Sequence, residues 1–342
     1  MTIIFAALMD GWRRVLRAPV LLATLWLVSL LMVIPAGLLV ESSIAGSLGN
    51  SLDAQTMATG VNSEWWDRFG ESASGLTTTF SPTIIGFGAV LDNASRFIDN
   101  RPLPAGILGL AVLTVSLWLF VAGGVIDRYA RMRPTRSHGF LAACGVFGVR
   151  FLRLGIVAAL GYAFIFGLVH GWLFDLLYPL AIHNVTVERS AFLLRFSLYG
   201  VFLLVLGFWN VVMDYAKIRA VVEDRRSMLG SVLAAWTFVI RHPLKTGLLY
   251  ALNVAGFVLV LAIYALVAPG AAGYGAAAWL AFAIGQAYLL ARVAVKLTFY
   301  ASQTALFQRM QAHVAYTAAP EPVWPDSPAA EAITNASGGT SA

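Results

Sequence analysis

Charged residues are scarce in this sequence. Only 12% of its 342 residues are Asp, Glu, Lys or Arg, whereas 59% are hydrophobic, and the mean hydropathy is +0.77. A water-soluble domain of this length does not need so large an apolar fraction, because only its core is hidden from water. The composition therefore indicates that lipid surrounds most of the chain.

Cysteine is almost absent, since Cys144 is the only one in the chain. A lone cysteine excludes an intrachain disulfide, a zinc site of paired cysteines and a dithiol redox centre. The sequence also lacks a phosphate-binding loop, a nucleophile elbow, a zinc-protease motif and a dinucleotide-binding motif in the required context. We therefore predict no catalytic residue, no metal site and no cofactor, and we do not expect an enzyme.

Long uncharged runs are abundant. A helix crosses the hydrocarbon layer of roughly 30 Å with about 20 residues, and several runs approach or exceed that length. The longest run, residues 246–291, is interrupted by Pro269 and several glycines, which predicts two helices joined by a turn. The six predicted spans are residues 20–40, 103–126, 154–177, 191–213, 246–268 and 276–296.

The distribution of positive charge predicts the orientation. With these spans, 18 of the 23 Lys and Arg residues fall on one side and five on the other. The positive-inside rule makes the richer side cytoplasmic, so both termini are predicted inside a bacterial inner membrane. The net charge of +6 then reflects orientation, and we expect no binding of nucleic acid. A cleaved signal peptide is the alternative for the first span, but its apolar run is longer than usual.

Two segments lie outside the spans. Residues 41–102 form the one long extracytoplasmic loop, with seven acidic residues against three arginines. Residues 311–342 are rich in Pro, Ala, Ser, Thr and Gly and have no hydrophobic period, which predicts a disordered cytoplasmic tail. The membrane domain is therefore predicted over residues 1–310.

An internal repeat is visible in two motifs. Residues 12–19 read WRRVLRAP and residues 236–243 read WTFVIRHP, while residues 150–153 align with 14–17 in a looser copy. In that looser copy Gly155 replaces the proline. A Tyr-Ala pair follows each even-numbered span with a period of about 86 residues, at Tyr129, Tyr215 and Tyr300.

The repeat predicts the architecture. In the third copy, apolar residues recur at three- and four-residue spacing, which predicts an amphipathic helix before the span. Ser137 and Ser227 each follow an arginine and stand where an N-cap residue would start such a helix. We therefore predict an all-α transmembrane fold, a six-span bundle of three parallel repeats, each a cytoplasmic interfacial helix plus a transmembrane hairpin. The apolar stripe of the third helix contains Leu229, Val232, Leu233, Trp236, Val239 and Ile240.

This arrangement resembles a group of bacterial six-span membrane families, largely uncharacterised, that includes the membrane domain attached to some glycerophosphodiester phosphodiesterases. The resemblance rests on the Tyr-Ala-[Lys/Arg]-x-Arg sequences at 129–133 and 215–219, the Arg-Ser pairs and the Trp-bearing helix. It covers about residues 1–310. No soluble stretch here would house the phosphodiesterase domain, so the resemblance implies a fold and no reaction.

The last arginine of each motif copy is the predicted lipid contact. Arg17, Arg153 and Arg241 stand at the base of the odd-numbered spans, where a guanidinium reaches lipid phosphates. Membrane lipids are therefore the expected partners. The alternative is that these arginines are ordinary interfacial anchors.

Three amides lie within or near the spans, at Asn210, Asn253 and Gln286. Lipid cannot satisfy their polar atoms, so we expect hydrogen bonds between helices. The alternative is a polar translocation path built from them.

Ionisable residues near the spans form two groups. One comprises His170, Asp175, His183 and Glu188, which we interpret as separate interfacial residues, with a shared metal or proton path as the alternative. The other lies near the cytoplasmic ends of spans four and six, where long cationic side chains extend to headgroups. There we expect Arg292 and Lys296 to reach the headgroups and Asp214 to pair with Lys217 or, as the alternative, to cap local backbone.

The leading hypothesis for function is a scaffold or envelope-associated component that engages lipids or partner proteins. The alternative is a transporter of a small or lipidic solute. A transporter predicts a cavity among spans four to six that Asn210, Asn253 and Gln286 line, whereas a scaffold predicts no such cavity.

Overall fold

A computed structural model describes residues 2–49, 51–59, 62–79, 88–132, 136–268 and 275–311. Every regular element in these ranges is a helix. Six helical runs are long and apolar enough to cross a membrane, so the chain is a multi-pass membrane protein. These runs are Pro19–Leu48, Ala105–Arg131, Ser137–Ile182, Glu188–Val222, Pro243–Val267 and Ala276–Met310. The predicted tail beyond Gln311 and most of the predicted turn between the last two spans lie outside the described residues.

We number the helices in chain order. They are α1 (Thr2–Leu16), α2 (Pro19–Leu48), α3 (Asp53–Thr59), α4 (Ser63–Ser72), α5 (Gly88–Ile98), α6 (Ala105–Arg131), α7 (Ser137–Phe164), α8 (Tyr178–Ile182), α9 (Glu188–Val222), α10 (Met228–Arg241), α11 (Pro243–Val267) and α12 (Ala276–Met310). A short 3-10 turn covers Gly75–Thr79. Two π-helical segments, Ile165–Val169 and Trp172–Leu177, join α7 to α8 in one continuous helical run.

Proline decides where a short helix separates from a span. Pro19 and Pro243 are the first residues of α2 and α11, where a missing N–H costs no hydrogen bond, and each begins a helix distinct from the one before it. We expected a third separate helix before span three. The structure instead continues from Ser137 through Gly155 without a break, because glycine keeps the N–H that a helix interior requires.

The two predicted N-cap serines behave differently. Ser227 caps α10, because its Oγ accepts a hydrogen bond from the backbone N–H of Gly230 at 3.2 Å. Ser137 is not a cap, and this part of the prediction is wrong. Arg136 takes the extended cap conformation there, at φ −66° and ψ 156°, so Ser137 is already the first helical residue.

The last helix is the centre of the bundle. α12 contacts α1, α2, α6, α9 and α11 along its length. Each helix that precedes a span also packs on the end of an earlier or later spanning helix: α1 on α12, the start of α7 on α6, and α10 on α9. We call this end of the bundle, which carries α1, α10 and the ends of α6, α9 and α12, the basic end.

A buried arginine ties the basic end together. Arg14 on α1 is 8% exposed and donates to the carbonyl of Tyr129 at 2.9 Å and to Oε1 of Gln308 at 3.1 Å. It also forms an ion pair with Asp10 at 3.0 Å. One guanidinium therefore joins the ends of α1, α6 and α12.

α10 divides its apolar residues between two faces. Val232 and Val239 are buried against the bundle. The other four residues of the predicted stripe are 42–69% exposed, which leaves one apolar side of α10 on the outside of the protein, as a helix in the headgroup layer requires. The exposed four are Leu229, Leu233, Trp236 and Ile240.

The opposite end of the bundle is held by the segment before α6. Asn100 donates to the carbonyl of Phe166 at 3.2 Å, within the first π-helical segment, and Tyr199 donates to Asp99. The rings of Phe97 and Phe166 lie 4.8 Å apart. The described end of the 41–102 loop therefore docks on the hairpin of α7–α8 and α9. Residues 80–87 of this loop lie outside the described residues.

Close approach of α6 and α7 depends on a glycine pair. A Cβ on Gly123 would lie 2.4 Å from the Cβ of Phe147, and one on Gly124 would lie 2.6 Å from the Sγ of Cys144. Both distances are shorter than van der Waals contact. The glycines therefore permit the packing that the small residues of membrane helices commonly provide.

We expect Gly123→Ala to destabilise the folded protein by about 1–3 kcal/mol, because the added methyl group overpacks the α6–α7 contact. Gly109→Ala is the matched control on the same helix, since a Cβ there meets nothing within 4 Å. Thermal unfolding of the purified protein in detergent measures both. Equal unfolding temperatures for the two variants would contradict the prediction.

Candidate functional site

A cavity of about 640 Å³ lies inside the bundle among α2, α6, α9, α11 and α12. We call it the intrabundle cavity. Most of its lining is aliphatic or aromatic, with contributions such as Leu117, Val254 and Phe257. Its charged lining residues are Asp214, Lys217, Arg292 and Lys296. Three cationic side chains thus face one carboxylate, which gives the lining a formal charge of +2.

The carboxylate of Asp214 is already engaged at both oxygens. Lys217, one turn further along α9, places its Nζ 2.8 Å from Oδ1. The Nε2 of Gln303 on α12 donates to Oδ2 at 3.2 Å. The expected pairing of Asp214 with Lys217 is therefore present, and Lys217 is the cation whose charge has a counter-ion.

Lys296 and Arg292 rest on aromatic rings. The Nζ of Lys296 lies 3.9 Å from the ring centre of Trp118 on α6. The guanidinium carbon of Arg292 lies 5.8 Å from the ring centre of Phe257 and 5.6 Å from that of Tyr288. A ring face attracts a cation, but it cannot neutralise the charge.

No carboxylate among the described residues forms an ion pair with Arg292 or Lys296. The two side chains are four residues apart on α12, so they share one helix face, where like charges repel. Lys296 lies close enough to Asp214, Lys217 and Arg292 for electrostatic interaction. The cavity lining therefore contains two cations that no ion pair holds among the described residues.

The spacing along α12 locates these cations in the bundle. Arg292 and Lys296 lie about 24 Å and 30 Å from the start of α12 at Ala276, at 1.5 Å per residue. We expected both to extend to the headgroups. Both line the intrabundle cavity, Arg292 as an exposed side chain and Lys296 as a half-buried one, because the face of α12 toward α2, α6 and α9 borders the cavity. Their extension to the headgroups stays a prediction.

The three predicted amides all bond to another helix. Asn210 accepts from the hydroxyl of Tyr162 at 2.5 Å, and Asn253 donates to Ser302 at 3.0 Å. Gln286 accepts from the indole N–H of Trp26 at 3.2 Å. Only Asn210 lines the intrabundle cavity, so the amides do not form a shared polar path.

The three predicted lipid-contact arginines are exposed and lie apart from the intrabundle cavity. Arg17 borders a small cleft beside Arg14 and Arg128. Arg241 borders a cleft of about 320 Å³ with Arg219 and His242. Burial, with the nearby charges of Lys245 and Arg241, lowers the pKa of His242, so its imidazole is neutral at pH 7.

The group of His170, Asp175, His183 and Glu188 forms no metal site among the described residues. The described residues contain no group of three or more His, Cys, Asp or Glu side chains that would hold a metal ion. His170 is buried between the rings of Phe174 and Phe202, at centroid distances of 4.7 Å and 5.3 Å, and Asp175 is exposed. The shared metal or proton path therefore has no support in these positions.

Sequence reasoning missed the charged lining of the cavity. Arg292 and Lys296 at four-residue spacing, inside an otherwise uncharged stretch, were the available signal. That spacing identifies one helix face, but it does not say whether the face meets lipid or protein.

Comparison with known proteins adds no relative: no family model, no curated protein and no solved structure matches the chain.

The intrabundle cavity predicts a pattern of thiol reactivity. With Cys144 replaced by alanine, we expect Val254→Cys to react rapidly with a charged methanethiosulfonate reagent, because it lines the cavity and the thiolate forms only in water. Val258→Cys is the control one turn further along α11, which is exposed but outside the cavity. Equal rates would contradict an aqueous cavity.

Proposed function

We propose that this multi-pass membrane protein is a carrier for an anionic amphiphile. The charged head of the ligand is held by Arg292 and Lys296, and its apolar part lies against the remaining lining. The observation that carries this proposal is the pair of cations without a carboxylate partner in a largely apolar cavity. A charge that is partly removed from water is costly unless an opposite charge compensates it, so the half-buried Lys296 and its neighbour Arg292 favour an anion.

The ligand is an amphiphile because the lining has two parts. The cationic side chains come from α9 and α12, whereas α2 and α11 contribute mainly apolar groups such as Met32, Val33 and Val254. The volume of about 640 Å³ falls within the range of pockets that enclose small molecules. A ligand with one charged end and one apolar end matches both parts.

The scaffold hypothesis stays a prediction, and it gives no role to the cavity. We also propose that the chain is no enzyme. Catalysis would need a nucleophile with its base, or an acid and a base facing a substrate. The only carboxylate of the lining is engaged by Lys217 and Gln303, which supports binding over reaction.

The three-repeat architecture is part of the proposal. The position held by Arg14 in the first copy corresponds to Arg150 in the second and Phe238 in the third. In each case this side chain contacts the end of the second spanning helix of its own copy, or the residues just after it. The contacts are Arg14 with Tyr129, Arg150 with Asp224 at 2.6 Å, and Phe238 with Phe307 at 5.3 Å between ring centres. Contact of this one position with the end of the second spanning helix, or with the residues just after it, in all three cases supports one unit used three times.

We also propose that the basic end faces the cytoplasm of a bacterial inner membrane. The 18 to 5 distribution of Lys and Arg supports this orientation. In this orientation, the exposed Arg17, Arg153 and Arg241 contact the headgroups of the inner leaflet. Membrane lipids are therefore the partners that we propose. The likeness to the six-span families with phosphodiesterase-linked members concerns the fold alone.

Ligand binding tests the carrier. In nanodiscs of zwitterionic lipid, we expect the full chain to bind decyl sulfate and not decyltrimethylammonium, because the lining has a formal charge of +2. Replacing both Arg292 and Lys296 by methionine is expected to weaken decyl sulfate binding by about tenfold or more. Isothermal titration calorimetry measures both effects.

Arg195→Met is the matched control for this experiment. Arg195 is a cation on α9 that lies over Tyr178 and Tyr199, away from the intrabundle cavity. We expect it to bind decyl sulfate as the unmodified chain does. Equal binding of the cationic and anionic amphiphiles, or unchanged binding by the double variant, would sink the proposal and favour a scaffold.

Labelling tests the orientation. With Cys144 replaced by alanine, we expect Ser51→Cys to react with a membrane-impermeant maleimide on intact spheroplasts, and Ser137→Cys to react only after lysis. Both serines are exposed and lie at opposite ends of the bundle. The reverse pattern would place the basic end outside.

A further inference from the structure

We infer that the ligand head carries two negative charges, and that a phosphate monoester on an apolar chain is the chemical class that fits. This inference rests on the proposed function and specifies its ligand. It follows from which charges of the intrabundle cavity are already compensated.

The charge of Lys217 is already compensated by an ion pair. Its Nζ lies 2.8 Å from Asp214, whose other oxygen accepts from Gln303. A ligand anion that binds Lys217 must therefore compete with a carboxylate fixed on the same helix. Lys217 adds little to ligand charge as long as this pair is intact.

Without Lys217, two cationic side chains of the lining remain available to a ligand. Arg292 and Lys296 are the lining cations without a carboxylate partner among the described residues. Side chains four residues apart on a helix are neighbours, with Cβ atoms about 5–6 Å apart. One head group with several oxygens at a single centre can therefore contact both.

The charge and the acceptor oxygens of the head group decide which chemical class fits both cations. A phosphate monoester offers three acceptor oxygens and carries a charge of about −1.5 to −2 at pH 7. A guanidinium forms paired hydrogen bonds to phosphate, and an ammonium adds a point charge. A carboxylate, a sulfate ester or a phosphodiester carries one charge, which would leave one of the two cations uncompensated.

Two amphiphiles with the same chain test the inference. In nanodiscs at pH 8, we expect decyl phosphate to bind the full chain about tenfold or more tightly than decyl sulfate. At pH 5 the phosphate holds one proton more, because its second pKa is about 6, and we expect the ratio to fall to about threefold or less. Calorimetric titration gives all four dissociation constants.

Decyl sulfate is also the control for titration of protein groups between the two pH values. Its charge does not change between the two pH values, so any change in its own affinity reports titration of groups in or near the cavity. The titratable groups that face Arg292 and Lys296 or their neighbours are Asp214, Lys217, Tyr162, Tyr250, Tyr288 and Tyr300.

Variants of Lys296 sharpen the test. Lys296→Gln leaves one uncompensated cation, so we expect it to bind decyl sulfate weakly and to reduce the phosphate preference to about threefold or less. Lys296→Arg keeps the charge and is expected to keep the preference. Residual binding of decyl sulfate by Lys296→Gln shows that the variant is folded.

The outcomes separate the two proposals. Equal affinities for the two amphiphiles at pH 8 overturn the dianion inference and leave the carrier standing. Binding of neither amphiphile overturns both. Inorganic phosphate that competes as strongly as decyl phosphate supports the dianion inference and contradicts the amphiphile.

Discussion

Lipid neither donates nor accepts hydrogen bonds, so each polar group in the spans of this chain must find its partner inside the protein. Arg14 lies on α1, outside the spans, but it is buried and follows the same rule, because its guanidinium is bonded to a carbonyl, an amide and a carboxylate on three segments. The amides of Asn210 and Asn253 each bond a backbone carbonyl on their own helix as well as a side chain on another. These bonds hold helices at fixed separations, and glycines such as Gly123 make the separations short.

Arg292 and Lys296 are the exception to this rule, and the bundle tolerates them for a physical reason. Both ammonium and guanidinium lie on aromatic faces, which attract cations, and both border a cavity large enough to hold water or a ligand. Asp214 reduces the total charge by compensating Lys217. The free-energy cost of keeping this positive charge is therefore lower in the cavity than in a dry, buried site.

Run length and proline were sufficient to predict much of the fold. Each predicted span falls largely within a long helix of the structure, and Pro19 and Pro243 each begin one. The interior of the bundle was not predictable in the same way. Hydropathy treats each helix alone, whereas the surroundings of Lys296 depend on how α12 packs among α2, α6 and α9. Local reasoning also failed at Ser137, because the cap depends on the backbone angles of Arg136 and not on residue type alone.

In the three-repeat architecture that we propose, the Tyr-Ala motifs set a register between the copies. In that register Lys296 corresponds to Val125 and Val211, and Arg292 corresponds to Val121 and Gly207. Val125 and Val211 are buried at 0% and 4% exposure, so the fold fills these positions with apolar side chains in two copies of three. The unit therefore does not need a cation there to pack. A charge that the architecture does not require, and that is costly where it is half-buried as at Lys296, supports our proposal of a ligand that compensates it.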